Sequence, residues 1–207
     1  MGKGEQTRRR IVAQAAPVFN THGYSGTSMA ELTKATGMEK GGIYNHFASK
    51  EALALAAFDY GVDVMRARIA AALAGKQGAV ARLLAMISVF AEYLENPPVA
   101  GGCPILNTAV EATDTEPALL ARAQAAMTEL QKLIGATVKQ GVANGELRPE
   151  ADPRRTATIC TAMLEGAIML ARLYQDRAPI DHAVAHLTAY FNQLTIMALP
   201  VAPPEAR

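Results

Sequence analysis

Apolar residues recur along this chain at spacings of three and four, the period of one helix face, and no stretch alternates as a strand would. Ile11, Ala15, Val18 and Phe19 form the first such stripe. It predicts a helix over 6–22, kinked at Pro17 and ended by Gly23. Two short patterns follow within 27–50. Met29, Leu32 and Ala35 share a face of one, and Ile43 and Phe47 are i, i+4 neighbours on the other. Between them Gly37 sits where a tight turn needs the positive φ that glycine adopts at little cost. Thr27 or Ser28 can cap the first pattern, and Ser28 to Glu31 has the capping-box spacing. Two short helices joined steeply through a glycine turn predict a helix-turn-helix over about 28–47, with Phe19, Leu32, Ile43 and Phe47 as its core.

The later patterns are longer. Ser49 is placed to cap a helix running through Leu53, Leu55, Phe58, Val62, Met65 and Ile69 to Leu73. At 1.5 Å per residue it spans about 35 Å, enough to join a head to a body as one lever. Further helices are predicted over 80–95, 105–112, and from 116 or 117 to 143 with Thr115 as its cap. Another opens at Asp152-Pro153 and runs to about Tyr174, and a last one covers 179–197. The expected fold is all-α, with a three-helix head over 1–50 and a six-helix body over 51–200. A Pro/Ala tail over 201–207 is expected to be disordered.

Charge sharpens the division. The 207-residue chain carries a net charge of only +1, but residues 1–50 hold seven basic and three acidic side chains, and the remainder is net −3. A basic head on a mildly acidic body is the asymmetry expected when one part meets phosphate. Lys40, Tyr44, Asn45, His46 and Lys50 crowd into eleven positions, a set of donors suited to holding a DNA backbone. Gly41 and Gly42 each cost a packed helix up to about 1 kcal/mol relative to Ala, which makes sense where backbone must approach a ligand closely. Arg8, Arg9 and Arg10 read either as an arm over DNA or as a frayed terminus. The basic start MGKGEQTRRR is followed by no apolar signal-peptide core, and no apolar run approaches the 18 or so residues that span a bilayer. The two cysteines, Cys103 and Cys160, form no CxxC pair. A cytoplasmic protein without a membrane partner is the expectation.

The first fifty-odd residues resemble the DNA-binding domain of the TetR/AcrR family of bacterial transcriptional regulators. The resemblance rests on F-x-x-x-G-Y-x-G-T-S from Phe19 to Ser28 and on G-x-x-K-G-x-I-Y-x-H-F-x-S-K-E-A-L from Gly37 to Leu53. It implies that Thr27 and Ser28 touch phosphate, that Lys40, Gly41, Tyr44, Asn45 and His46 lie at the DNA surface, and that Lys50 grips the backbone. The chain departs from the family pattern at Glu39, where a small hydroxyl cap is usual, and at Gly42, which often carries a hydroxyl. Operator sequence is therefore not transferable.

For the body, the resemblance implies homodimerisation through the last two long helices and a cavity for a small-molecule effector. Broad apolar faces suit the first: Ile159, Met163, Ala167, Leu170 and Leu173, then Val184, Leu187, Phe191, Leu194 and Met197, with small residues at Ala162, Gly166 and Ala189. Effector-lining candidates are Met65, Ile69, Met86, Phe90, Tyr93, Cys103, Leu106, Met127, Met163 and Tyr174. Nine methionines and no tryptophan fit an adaptable lining, although methionine at helical spacing is also plain core. Cys103 precedes a predicted helix, where amide groups lower a thiol's pKa. The surrounding GCP sequence resembles the electrophile-sensing N-ethylmaleimide reductase repressor branch of the family, which implies a sensing thiol there; the alternative reading of Cys103 is a small buried residue that helps the glycine turn pack. Cys160 lies on a buried stripe and reads as core.

His182 and His186 are i, i+4 beside Asp181 but lack a third ligand, so no metal site is expected. Glu111, Asp114 and Glu116 flank a turn and read as caps and solvated charge rather than as an acid–base pair. No cofactor motif, phosphate loop or nucleophile elbow is present in the sequence. The function expected is a ligand-responsive DNA-binding regulator, a repressor released from a palindromic operator by a small molecule or electrophile. Its rivals are an all-α small-molecule enzyme and a helical adaptor.

Overall fold

In a computed structural model, residues 2–112 and 116–196 are described, and among them lie nine α-helices and no strand. α1 (Lys3–Gly26) is longer than its apolar stripe suggested and stays helical through Pro17, whose fixed φ suits a helix. The break falls instead at Gly23, with φ 75° and ψ 173°. The N-terminal arginines are part of this helix rather than a frayed end: Arg8 Cζ lies 4.6 Å above the Phe47 ring, and Arg9 pairs with Glu5.

α2 (Met29–Thr36) begins with the capping box read from the sequence. Ser28 Oγ accepts from the Glu31 amide at 3.2 Å, and the Glu31 carboxylate accepts from the Ser28 amide at 2.7 Å. Gly37 closes the helix at φ 63°, and α3 (Lys40–Tyr44) follows after a short turn. Phe19, Leu32, Ile43 and Phe47 are all buried beneath this unit, as expected. α4 (Lys50–Leu73) starts at Ser49, whose hydroxyl accepts from the Ala52 amide, and its flank packs along α1.

α5 (Ala79–Ala91) ends four residues before the predicted boundary of 95. The chain turns there so that Tyr93 enters the core and stacks on Phe90 with ring centroids 5.0 Å apart. α6 (Pro104–Glu111) and α7 (Pro117–Ala143) match the predicted positions, while the proposed Thr115 cap lies outside the described residues. α8 (Pro153–Tyr174) is capped by Asp152, which accepts from the Arg155 amide at 2.8 Å. α9 (Ala178–Leu194) completes the body, and Met197 and the tail over 201–207 lie outside the described residues.

One apolar core runs from Ile11 and Leu32 through Phe58 and Phe90 to Leu187 and Phe191. α8 corrects two expectations. Its buried arc is Thr156, Ala157, Cys160, Thr161, Leu164, Glu165, Ala167, Ile168 and Ala171, so of the stripe read from the sequence only Ala167 is fully buried. Leu170 and Leu173 lie on the outer face with Met169 and Tyr174, because this helix is apolar on two sides. It is also long and apolar enough, by mean hydropathy over 18 residues, to cross a bilayer, contrary to the sequence expectation. Half of that window is buried, and the helix packs against α7 and α9.

Candidate nucleic-acid interface and effector site

The helix-turn-helix divides its side chains cleanly. Its apolar residues face α1, whereas Ser28, Lys40, Gly41, Tyr44 and Asn45 are exposed and His46 and Lys50 are half-exposed. These seven form one polar strip over the start of α2, the length of α3 and the start of α4. A Cβ added at Gly41 would meet nothing within 4 Å, so this turn of backbone is open to an incoming partner. Lys40 Nζ lies 5.9 Å from the centroid of the Tyr44 ring, and Lys50 Nζ lies 4.4 Å from that of Tyr24. Such cation–π contacts pre-position both ammonium groups while leaving their donors available. Glu39 stands at the start of α3, exposed and without a capping hydrogen bond.

Thr27 is the exception. Its side chain is 1% exposed, and its hydroxyl donates to the Gly23 carbonyl at 2.6 Å. That hydroxyl is spent on closing the break in α1, which corrects its assignment as a phosphate ligand.

The same break joins the head to α6. Glu111 accepts from the Tyr24 and Ser25 amides, each at 2.9 Å, the first amides after Gly23. A Cβ at Gly23 would come within 2.4 Å of that carboxylate, so both the positive φ and the approach of Glu111 require glycine. Beside it, Asn107 Nδ2 donates to the Asn20 carbonyl at 2.9 Å and the Gly101 carbonyl at 2.8 Å. Asn20 Nδ2 in turn donates to the carbonyls of Ala100 and Gly102, each at 3.0 Å. Glu111 was read from the sequence as a cap or solvated charge, and Asn20 and Asn107 were given no role. All three tie α1 to α6, and their polar side chains in apolar helix faces were the available signal.

Within the body, the effector candidates separate into three groups. Met65 and Ile69, with Val62, line a groove of about 290 Å³ between α4 and α7, with Leu130 and Leu133 opposite them and an Arg66–Glu129 ion pair on its rim. Met86, Phe90, Tyr93 and Cys103 are core residues, fully enclosed. Leu106, Met127 and Met163 are half-buried against that core. Tyr174 is 69% exposed at the end of α8 and belongs to no interior surface, which corrects its assignment.

Sequence inspection missed the strongest feature of the interior. Glu165 is 8% exposed on the buried arc of α8, and its Oε1 accepts from the Cys103 thiol at 3.1 Å. Oε2 has no hydrogen-bond partner, and neither has the hydroxyl of Tyr93, which is 1% exposed. Burial pushes the Glu165 carboxyl up to about 7, against the opposing pull of the Cys103 hydrogen bond. Cys103 is pushed well above the usual thiol range, first by burial and then by the Glu165 charge, although the Leu106 and Ile105 amides favour the thiolate. The helix-terminus argument for a reactive thiol therefore had the right sign for one contribution and lost to desolvation. Cys160 is buried as expected and raised to about 12 by the same cause.

His182 and His186 are exposed on α9, and among the described residues no group of three or more His, Cys, Asp or Glu side chains is arranged to hold a metal ion.

An exposed polar strip on a helix-turn-helix, tied through α6 to a helical body with polar groups in its interior, defines a DNA-binding regulator that responds to a ligand. Residues 11–57 match the family of bacterial regulatory proteins named tetR, and residues 79–187 match the tetracyclin repressor-like C-terminal domain. The chain belongs to the TetR family of transcriptional regulators, which are DNA-binding proteins and not enzymes. A TetR transcriptional regulator from Chloroflexus aurantiacus, solved by crystallography, is 49% identical and superposes with a TM-score of 0.92, covering 96% of this chain and 100% of that one. The repressor DhaR of a Mycobacterium species is 28% identical over 194 residues, spanning 90% of this chain and 91% of its own. The repressor NemR of Escherichia coli is 22% identical over 182 residues, spanning 87% and 92%.

Proposed function

We propose that this protein is a homodimeric repressor that binds a two-fold operator and releases it when a small molecule occupies the body. Members of the family bind DNA operators, typically as dimers and with small-molecule effectors. The DNA contacts in this reading are Ser28, Lys40, Gly41, Tyr44, Asn45, His46 and Lys50. The observation that carries it is the exposure of these polar groups over a fully buried apolar underside. The head ends at about residue 50 and the body begins there with α4, which packs back along α1. The dimer face is the outer side of α8 and α9, where Met169, Leu170, Leu173 and Tyr174 are exposed beside Ala162, Ala185 and Ala189. An exposed apolar face of this kind suits a partner helix pair, and a two-fold dimer presents two heads to a palindrome. The protein acts in the cytoplasm. Of the two release signals, a non-covalent ligand is favoured over an electrophile, because burial holds the Cys103 thiol in its protonated, weakly nucleophilic form.

Fluorescence anisotropy against DNA from the gene's upstream region, followed by random-sequence selection if that fragment fails, tests the regulator reading. Affinity should fall steeply with salt, with a log–log slope of about 0.9 per phosphate neutralised. Lys40→Ala and Tyr44→Ala should abolish specific binding and leave the dimer intact in light scattering. Specific binding that survives both substitutions would remove the α3 strip from the interface.

A further inference from the structure

A carboxylate buried in protein is ordinarily paired with a cation or satisfied by several donors, because an unpaired charge loses its hydration without compensation. Glu165 has neither. Its single partner is the weak donor Cys103 Sγ, and no basic side chain pairs with it among the described residues. The basic group that acts on neighbouring Tyr93 is Arg68, whose guanidinium is held by Asn96 and Pro97. Two polar atoms, Glu165 Oε2 and Tyr93 Oη, are thus nine-tenths buried or more and without partners in one neighbourhood, alongside the stacked rings of Phe90 and Tyr93.

What completes this set is a group bearing positive charge and N–H donors. An ammonium can donate to both Glu165 Oε2 and the Tyr93 oxygen, and aromatic faces attract it further. A carboxylate ligand is repelled by the ionised form and a neutral alcohol does nothing to favour that form, whereas a cation does. Tyr93 and Cys103 lie at the two ends of the segment between α5 and α6, which brings both to the same wall of the site.

We propose that Glu165 and Tyr93 are the polar end of the effector site and that the effector they select is a protonated organic amine. The proposal rests on the reading above that the body takes a small molecule. Cys103 acts as a positioning residue, its thiol holding Oε1 so that Oε2 is presented to the ligand.

The test is thermal melting of the full chain in non-amine buffer, titrated with n-butylammonium or benzylammonium chloride. n-Butanol, benzyl alcohol and sodium chloride at matched concentration serve as controls. The amines should raise Tm saturably while the alcohols and salt do not. Glu165→Gln should abolish the amine response, and Tyr93→Phe, which deletes only the unpartnered hydroxyl, should weaken it about tenfold, the worth of one charge-assisted hydrogen bond. Equal response to amines and alcohols, no response to either amine, or a full response in Glu165→Gln would each overturn the assignment. DNA anisotropy on the same samples separates the two readings. Salt-steep DNA binding without an amine response keeps the regulator and ends the amine assignment. An amine response without DNA binding, in the random-sequence selection as well, keeps the site and ends the repressor reading.

Discussion

Glu165→Gln should make the protein more stable, and the gain should depend on pH. The carboxyl titrates at about 7 in the folded chain against an ordinary 4.5, because burial disfavours its charged form. A group raised on folding binds its proton more tightly in the native state. Its stabilising contribution is therefore fully present below pH 4.5, declines as pH rises through the window to about 7, and is gone above it. The difference of about 2.5 units corresponds to about 3 kcal/mol at 1.36 kcal/mol per unit. For a chain of this length that is a shift in Tm of about 6–12 °C. The glutamine amide keeps an oxygen for the Cys103 thiol and carries no titrating proton, so the variant lacks this slope. Melting curves of both proteins between pH 4.5 and 8.5, in acetate, phosphate and borate, read the difference directly. This range stays below the titration of Cys103, which burial holds well above 9. The two Tm curves should lie closest at the acid end and diverge through the window. Parallel curves would refute the reasoning, since they would mean that Glu165 is ionised or hydrated in the folded protein much as in the unfolded one.

Three further substitutions separate the parts of the molecule. Gly41→Ala should raise stability by up to about 1 kcal/mol, because its methyl meets nothing and alanine is the better helix former, yet it should cut operator affinity at least about tenfold; unchanged anisotropy would show that DNA does not approach this backbone. Glu111→Gln replaces charged acceptors of the Tyr24 and Ser25 amides with a neutral one, at a cost of about 1–2 kcal/mol in melting, and should shift operator affinity without touching the DNA surface. Leu173→Asp sits on an exposed face, so the monomer fold should change by no more than about 0.5 kcal/mol while the dimer dissociates in light scattering. A dimer that persists would move the interface off the outer side of α8.

What could be read from the sequence was whatever is decided within a turn or two of helix. Ser28 with Glu31, Ser49, and Asp152 with Pro153 marked the starts of α2, α4 and α8 because a cap needs only a side-chain oxygen and a nearby amide. Gly37 marked the turn for the same local reason. The residues misread are those whose role is set across long sequence separations. Thr27 looked like a surface hydroxyl, but it sits opposite a break in α1 whose location depends on Glu111, 88 positions after Gly23. Cys103 looked activated by its helix, but desolvation and a carboxylate 62 positions away govern its proton. α8 shows why periodicity alone fails here. A helix apolar on both faces gives no preferred direction to a stripe search, and the large residues drew attention to the outer side. Glu165 was the discriminating mark. An acid set among Thr161, Leu164 and Ile168 sits inside at a cost, met here by holding its proton up to about pH 7, and under the amine proposal that cost marks the side of α8 turned to the ligand.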